Sequence, residues 1–145
     1  MTSEIRSVER DELPGLLELL ARSGLPTAGV SEHLMNYLVA TKSGRLAGMV
    51  GLEIYGSVGL LRSLAVEPGE TGAGVGTELV KAVLEKAGHQ KLESVYLLTT
   101  TAEGYFPRFG FERISREEVD SRLMASEELR GACPDTAVCM RLKLG

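Results

Sequence analysis

The stretch VGLLRSLAVEPGETGAGVG, residues 58–76, changes abruptly from a hydrophobic strand to a loop rich in glycine. Its first nine residues include only two polar side chains, Arg62 and Ser63. A turn follows, and then Gly72, Gly74 and Gly76 occupy every second position. Because glycine adopts backbone conformations that other residues avoid, a strand that leads into such a loop is typical of a segment that wraps a ligand.

The segments on either side of this stretch predict an antiparallel meander followed by a helix and further strands. Strand patterns over 37–40, 45–55 and 60–66 are joined by the short turns Ser43-Gly44 and Gly56-Ser57. In the middle strand, a regular alternation places Leu46, Val50, Leu52 and Ile54 on one side and Glu53 and Tyr55 on the other.

Two apolar stripes with helical spacing predict helices. Leu13, Leu16, Leu17 and Leu20 mark the first helix, which Gly24 and Pro26 end. Val75, Leu79, Val83, Leu84 and Ala87 mark the second helix, which ends at Gly88. Residues 33–39 fit either a short helix or the approach to a strand. We expect strands over 94–100 and 137–144, a short helix and a brief strand around Gly110-Phe111, and a helix over 115–130. The fold class is therefore α+β with a mixed sheet, in one domain over residues 1–145.

Composition narrows the function classes. The chain has 145 residues, a net charge of −4 and 43% hydrophobic residues, as a single globular domain does. A negative net charge argues against nucleic-acid binding, and the polar N-terminus together with the absence of a long apolar run argues against a signal peptide or a membrane span. We therefore expect a cytoplasmic protein. Cys133 and Cys139 are too few for a disulfide framework or a zinc site, so two reduced thiols and no metal are expected.

The glycine loop fits neither of the two best-known phosphate-binding patterns. A P-loop needs a lysine after its last glycine, and in a dinucleotide fingerprint Thr77 would stand in place of the third glycine. A GxGxG loop that opens a helix still offers converging N–H groups and a partial positive charge, which suit a pyrophosphate. The competing interpretation is a flexible turn that holds no ligand.

The run LRSLAVEPGETGAGVGTELV resembles the acetyl-CoA-binding core of the GCN5-related N-acetyltransferases, and the later YFPRFGF follows in the order of that family. LLRSLAV, YLLTTTAEGYF and CPDTAVCM further resemble the acetyltransferases associated with arsenic-resistance operons, a group that acetylates amino-acid-like compounds, including glutamate mimics that contain arsenic or phosphorus. The resemblance implies a V-shaped gap between strands 61–66 and 95–100 that holds acetyl-CoA. The implied cofactor-binding residues are Leu64, Ala65, Val66, Thr71, Gly72, Ala73, Gly74, Val75, Gly76, Thr77 and Thr99.

Acetyl transfer to an amine needs a base for the amine, a polarised thioester carbonyl and a proton for the leaving thiolate. Glu53 is the candidate base, with a pKa that burial would raise; the alternative is a structural carboxylate paired with a neighbour. Arg62 is the candidate for binding a substrate carboxylate or for pairing with Glu53, and both roles are compatible. Three further residues are candidates for lining the side of the site where the acceptor amine binds: Tyr55, His33 and Glu128. Of these, Tyr55 is expected to bind the substrate.

The general acid is where the sequence departs from the family. Many members have a tyrosine four residues before the glycine of the GF pair, and here that position is Phe106. Tyr105 is the substitute candidate, with core packing as its alternative, and solvent or the ammonium product could instead protonate the thiolate. Thr99 stands where relatives often carry an asparagine that contacts the cofactor, and at least one of the threonines 99–101 is expected to cap the next turn.

The sequence thus favours an enzyme that acetylates the amine of a small molecule. Two other functions stay open: a non-catalytic acetyl-CoA sensor and a protein or peptide acetyltransferase. The oligomeric state is not readable from the sequence; dimers are common among similar proteins, so a homodimer is one open possibility.

Overall fold

The computed structural model describes residues 4–70, 74–127, 129–130 and 136–144. Its strands are β1 (Glu4–Ser7), β2 (Tyr37–Lys42), β3 (Arg45–Tyr55), β4 (Val58–Val66), β5 (Ser94–Thr99), β6 (Glu112–Ile114) and β7 (Val138–Lys143). Its α-helices are α1 (Leu13–Arg22) and α2 (Val75–His89), and short 3₁₀ helices include Ser31–Asn36 and Phe106–Phe109.

The strands form one mixed sheet in the order β1-β2-β3-β4-β5-β7-β6. All neighbouring strands are antiparallel except β4 and β5, which run parallel because α2 connects them. The predicted α+β class, the meander β2-β3-β4 and the helix after the glycine loop are confirmed. The ambiguous 33–39 segment contains both forms, since the 3₁₀ helix Ser31–Asn36 leads directly into β2.

One helix covers each face of the sheet. Leu16, Leu19 and Leu20 of α1 pack with Val39 and Met49 on one face. On the other face, the α2 residues Val75, Leu79, Val80, Val83 and Ala87 pack with Val50, Leu52 and Leu97. The apolar spacing of each helix therefore matches its buried side.

A bulge in β3 corrects the predicted alternation. Thr41 pairs with Leu46 but Ala40 pairs with Gly48, so Ala47 is an extra residue in β3. The extra residue reverses the alternation, and Leu46 packs on the α1 side while Val50, Leu52 and Ile54 pack on the α2 side. The prediction that all four share one face is wrong for Leu46.

The predicted helix over 115–130 is also wrong. Two short 3₁₀ helices, Arg116–Glu118 and Ser121–Ala125, occupy this region. Ser115 and Glu118 close the first turn as a reciprocal capping box, and the extended backbone of Val119 and Asp120 then interrupts the chain. The Asp120 carboxylate accepts a hydrogen bond from the Arg122 N–H at 2.9 Å and starts the second turn. Local capping therefore overrides the helical composition.

Candidate functional site

The two central strands separate part way along their length. β4 pairs with β5 at Val58–Ser94, Gly59–Val95 and Leu60–Tyr96, and the pairing recorded for the described residues does not continue beyond Leu60. A cleft of about 500 Å³ lies where the strands part. This cleft is lined by residues 24–26, 61–64, 97–102 and Phe106. The predicted V-shaped opening is therefore present.

A bulge shapes the β4 wall of the cleft. Gly51 pairs with Arg62 and Met49 pairs with Ala65, so Ser63 and Leu64 together face the single residue Val50. Ser63 has a φ of 61°, a left-handed conformation that costs a residue with a side chain about 1–2 kcal/mol. Strain of this kind persists only where neighbouring contacts hold it, and it is often found at functional sites.

Arg62 and Glu53 form a completely buried ion pair beside the cleft. Nη1 of Arg62 donates to Oε2 of Glu53 at 2.8 Å, and neither side chain has any exposed surface. The same guanidinium donates to the carbonyl oxygens of Ala28 at 2.6 Å and Pro26 at 3.0 Å. Arg62 therefore neutralises Glu53 and fixes the loop that contains Pro26 and Ala28, of which Pro26 also lines the cleft.

The pKa of Glu53 moves in the direction opposite to the one expected. Burial raises the pKa of the carboxyl group, but hydrogen bonds from Tyr55, Arg62 and Ser126 outweigh burial and lower it below its ordinary value of 4.5. The prediction of a raised pKa is wrong, because it considered burial without these donors. Glu53 is therefore ionised at neutral pH.

Tyr55 and His33 extend the hydrogen bonding outward from Glu53. The Tyr55 hydroxyl donates to Oε1 of Glu53 at 2.6 Å, and Nε2 of His33 lies 3.3 Å from the same hydroxyl. Burial, and then the Glu53 carboxylate, raise the pKa of Tyr55, so its phenol stays neutral. The side chain of His33 is 24% exposed. A continuous polar chain thus leads from the buried ion pair to a partly exposed imidazole.

The start of α2 offers backbone N–H groups to a ligand, because no side chain caps it. Gly74 is the residue before the helix, with a φ of 82°, and it has no side chain with which to cap the first turn. The N–H groups of Val75, Gly76 and Thr77 are the ones that a helix leaves without partners of its own. Thr71, Gly72 and Ala73, which were also expected to bind the cofactor, lie outside the described residues.

Tyr105 and Phe106 have different surroundings. Phe106 is buried and lines the cleft. The Tyr105 hydroxyl lies 3.0 Å from Oγ1 of Thr77 at the start of α2, and its ring lies 4.3 Å below the Arg108 guanidinium. The structure thus brings Tyr105 to the start of the helix, while Phe106 is the one of the two that lines the cleft.

The remaining candidates are placed as follows. Thr99 lines the cleft, and its Oγ1 accepts a hydrogen bond from the Ala102 N–H at 2.9 Å, so it caps the turn after β5. Cys139 is buried, and burial raises the pKa of its thiol. Cys133 and Glu128 lie outside the described residues.

Some residues of the site carry no signal in the sequence. Pro26 and Ala28 act through their carbonyl oxygens, which any residue would supply. Ser126 reaches Glu53 from a segment that was expected to be a helix. His33, by contrast, was already a candidate for the acceptor side; it is separated from Glu53 by 20 residues, and the 3₁₀ helix that precedes β2 brings it to 3.9 Å from Oε1 of Glu53.

The cleft and the start of α2 fit a long ligand that ends in phosphates. Beyond Leu60, the edge of β4 that faces β5 has no strand pairing to the described residues, and such an edge can add an extended amide chain as a further strand would. The N-terminus of α2 favours an anion through its N–H groups and its dipole. The residues present therefore suit coenzyme A, whose pantetheine arm contains amides and whose nucleotide carries a pyrophosphate.

Two features are absent from the described residues. No group of three or more His, Cys, Asp or Glu side chains there is arranged to hold a metal ion. None of the described helices combines the length and the apolar character that crossing a membrane requires.

Comparison with known proteins identifies the family and the fold. The model of the acetyltransferase (GNAT) family matches residues 6–111. An amino-acid acetyltransferase from Mycobacterium tuberculosis is 32% identical over 81 residues, which are 55% of this chain and 46% of that protein. The chain therefore spans about half the length of this curated relative.

Two solved structures show the same fold. N-acetylglutamate synthase from Neisseria gonorrhoeae, in complex with coenzyme A and N-acetyl-glutamate, has a TM-score of 0.85 at 19% identity; the match covers 100% of this chain and 36% of that one. Rv2747 from Mycobacterium tuberculosis, in complex with CoA and NLQ, has a TM-score of 0.79 at 22% identity; the match covers 98% of this chain and 99% of that one. With the family match over most of its length, the chain belongs to the acetyltransferase (GNAT) family, whose members are acyl-transferring enzymes.

Proposed function

We propose that the protein transfers the acetyl group of acetyl-CoA to the amine of a small, amino-acid-like acceptor. The observation that carries this proposal is the cleft between β4 and β5, which has the buried Glu53–Arg62 pair on one side. The amino-acid acetyltransferase and the N-acetylglutamate synthase among the similar proteins support an amino acid as the acceptor class.

Acetyl-CoA supplies an activated thioester when bound. The backbone of Leu64, Ala65 and Val66 would hold its extended arm, and an N–H near Leu64 would polarise the thioester carbonyl. The N–H groups of 74–77, together with 71–73, would hold the pyrophosphate, and Thr99 would contribute from the opposite wall of the cleft.

On the acceptor side, Glu53 is the proposed base. Because it has no exposed surface, it would remove the proton of the ammonium group through a water molecule. Its lowered pKa keeps the carboxylate ionised over a wide pH range, but it also makes Glu53 a weaker base than an ordinary glutamate, so Glu53 would pass the proton on to water and not retain it.

Arg62 is the only charged residue among the described residues that line the cleft, and it is the proposed partner of an acceptor carboxylate, although its side chain is fully buried before an acceptor binds. Its guanidinium already binds Glu53, Pro26 and Ala28, so binding an acceptor requires an exchange of hydrogen-bond partners. Tyr55, which holds the other oxygen of Glu53, would border the same acceptor.

Tyr105 stays the proposed general acid for the leaving thiolate. Its bond to Thr77 places the hydroxyl at the start of α2, next to the proposed cofactor site. Solvent or the ammonium product is the alternative proton source.

A narrower substrate class rests on the sequence resemblance alone. Glutamate mimics that contain arsenic or phosphorus carry both an amine and a carboxylate, so they fit the proposed acceptor class. A cytoplasmic location and a homodimer are likewise expectations from the sequence.

A free-thiol assay with acetyl-CoA tests the proposal directly. The panel consists of amino acids, glutamate mimics and a peptide with a free N-terminus. We expect thiol release with an amino acid or a mimic and little with the peptide. Release with the peptide alone would indicate a peptide acetyltransferase, and coenzyme A binding without release for any amine would indicate a sensor.

A further inference from the structure

We propose that Tyr37 is a positioning residue that holds the β4 bulge in the conformation required for acetyl transfer, and that Gly51 is present to admit its ring. The inference rests on the proposed function, because it concerns the backbone assigned to hold the cosubstrate. It adds a residue on β2 that does not line the cleft.

The first observation is the contact between Tyr37 and the strained residue of the bulge. The Tyr37 hydroxyl and Oγ of Ser63 are joined by a hydrogen bond of 2.8 Å, and Tyr37 has no exposed surface. Nε of Arg62 donates to the same Ser63 oxygen at 3.1 Å. Two side chains thus hold Ser63 at a φ of 61°, a conformation that a residue with a side chain does not adopt without compensation.

The second observation is the space that β3 leaves for the Tyr37 ring. A Cβ atom on Gly51 would lie 2.2 Å from Cζ of Tyr37 and 2.4 Å from its Cε1. Gly51 is directly opposite Tyr37 across the β2–β3 pairing, and it is also opposite Arg62 across the β3–β4 pairing. Only glycine at position 51 therefore allows the ring to cross β3 and reach the bulge.

The third observation is the position of the bulge. Ser63 and Leu64 both line the cleft, three residues or more beyond the last pairing of β4 with β5. A change of φ at Ser63 would redirect the N–H and C=O groups that follow it, and these are the groups assigned to the thioester and the pantetheine arm. Small displacements of such groups reduce catalysis strongly because the groups must meet the charge that develops in the transition state.

A simpler interpretation is that Ser63 merely provides a partner for a buried phenol, as buried tyrosine hydroxyls require. That role would affect stability and leave the turnover number unchanged. The two interpretations are separated by Tyr37→Phe, which removes the hydroxyl and keeps the ring. The matched control is Tyr96→Phe, the same change at a buried tyrosine of β5 that packs in a different cluster and does not line the cleft.

We expect Tyr37→Phe to lower kcat for acetyl transfer about threefold to tenfold, the range that loss of one hydrogen bond predicts. No hydrogen bond of the Tyr96 hydroxyl is recorded among the described residues, so Tyr96→Phe should change Tm less and leave kcat within about twofold. In a Ser63→Gly background, Tyr37→Phe should have a smaller effect, because glycine adopts a positive φ without help. Gly51→Ala, which displaces the ring, should lower both kcat and Tm.

An unchanged kcat in Tyr37→Phe, or an equal effect in the Ser63→Gly background, would overturn the inference. A crystal structure of Tyr37→Phe provides a readout that needs no activity: we expect Ser63 to leave its positive φ, and its retention would also overturn the inference. The proposed function fails separately, if the unaltered protein neither binds coenzyme A nor releases thiol with any amine.

Discussion

Arg62 and Glu53 are diagonal neighbours across β3 and β4, and their side chains meet at 2.8 Å on the face of the sheet that bears α1. Gly51 is the residue opposite Arg62, and Leu60 is the residue opposite Glu53. A shift of the register by one residue would turn one charge to the other face, so the ion pair and the strand register depend on each other.

The energetic consequence is that either charge alone destabilises the fold. Glu53→Leu or Arg62→Met should each lower the free energy of unfolding by about 3 kcal/mol or more, because one buried charge remains without its partner. The double variant should lose less than the sum of the two. Denaturant unfolding of all four proteins measures this coupling, and additive losses would mean that the two side chains stabilise the fold independently.

The pKa of Glu53 predicts how stability depends on pH. Since the folded state holds this pKa below the ordinary value of 4.5, the stabilisation is fully present above about pH 4.5 and is lost as the pH falls through the lower, folded value. We therefore expect the free energy of unfolding to fall more steeply below pH 4.5 in the unaltered protein than in Glu53→Gln. Parallel slopes from denaturant unfolding at several acidic pH values would contradict this assignment.

The fold was predictable where local pattern and tertiary packing agree. The apolar stripes of α1 and α2 and the alternation of β3 beyond its bulge coincide with the surfaces that the sheet buries, so the elements and their order follow from the sequence. The prediction of a helix over 115–130 failed because capping by Ser115 and Asp120 divides the segment, although its composition suits a helix. The spacing of apolar residues carries no information about capping hydrogen bonds.

The site was predictable in its residue types and not in its contacts. An arginine in an apolar strand requires a partner, and Glu53 was the candidate within reach of the adjacent strand. The direction of the Glu53 pKa required knowledge of Tyr55 and Ser126, and the latter approaches from about 70 residues further along the chain. A buried carboxyl group can shift either way, and the hydrogen-bond donors that decide the direction appear only in three dimensions.

The positive φ of Gly74 predicts that a side chain at this position weakens cofactor binding. A side chain at position 74 would have open space around it, but its residue would have to adopt a φ of 82°. Gly74→Val should therefore distort the first turn of α2 and weaken coenzyme A binding at least about tenfold. Gly88 also has open space and lies inside α2, so Gly88→Ala is the matched control and should stabilise the helix. Calorimetric titration with coenzyme A measures both variants, and unchanged binding by Gly74→Val would mean that the loop is only a turn.

The role of Tyr105 can be separated from that of its neighbour Phe106. If Tyr105 protonates the leaving thiolate, Tyr105→Phe should lower kcat about a hundredfold, the lower range for loss of a general acid. Phe106→Tyr in that background should restore part of the rate, because position 106 lines the cleft. Thr77→Val removes the hydrogen-bond partner of Tyr105 and keeps the phenol, so its effect on kcat should be much smaller. An unchanged kcat in Tyr105→Phe with weaker coenzyme A binding would mean that the hydroxyl serves the start of α2, and that the thiolate takes its proton from another source.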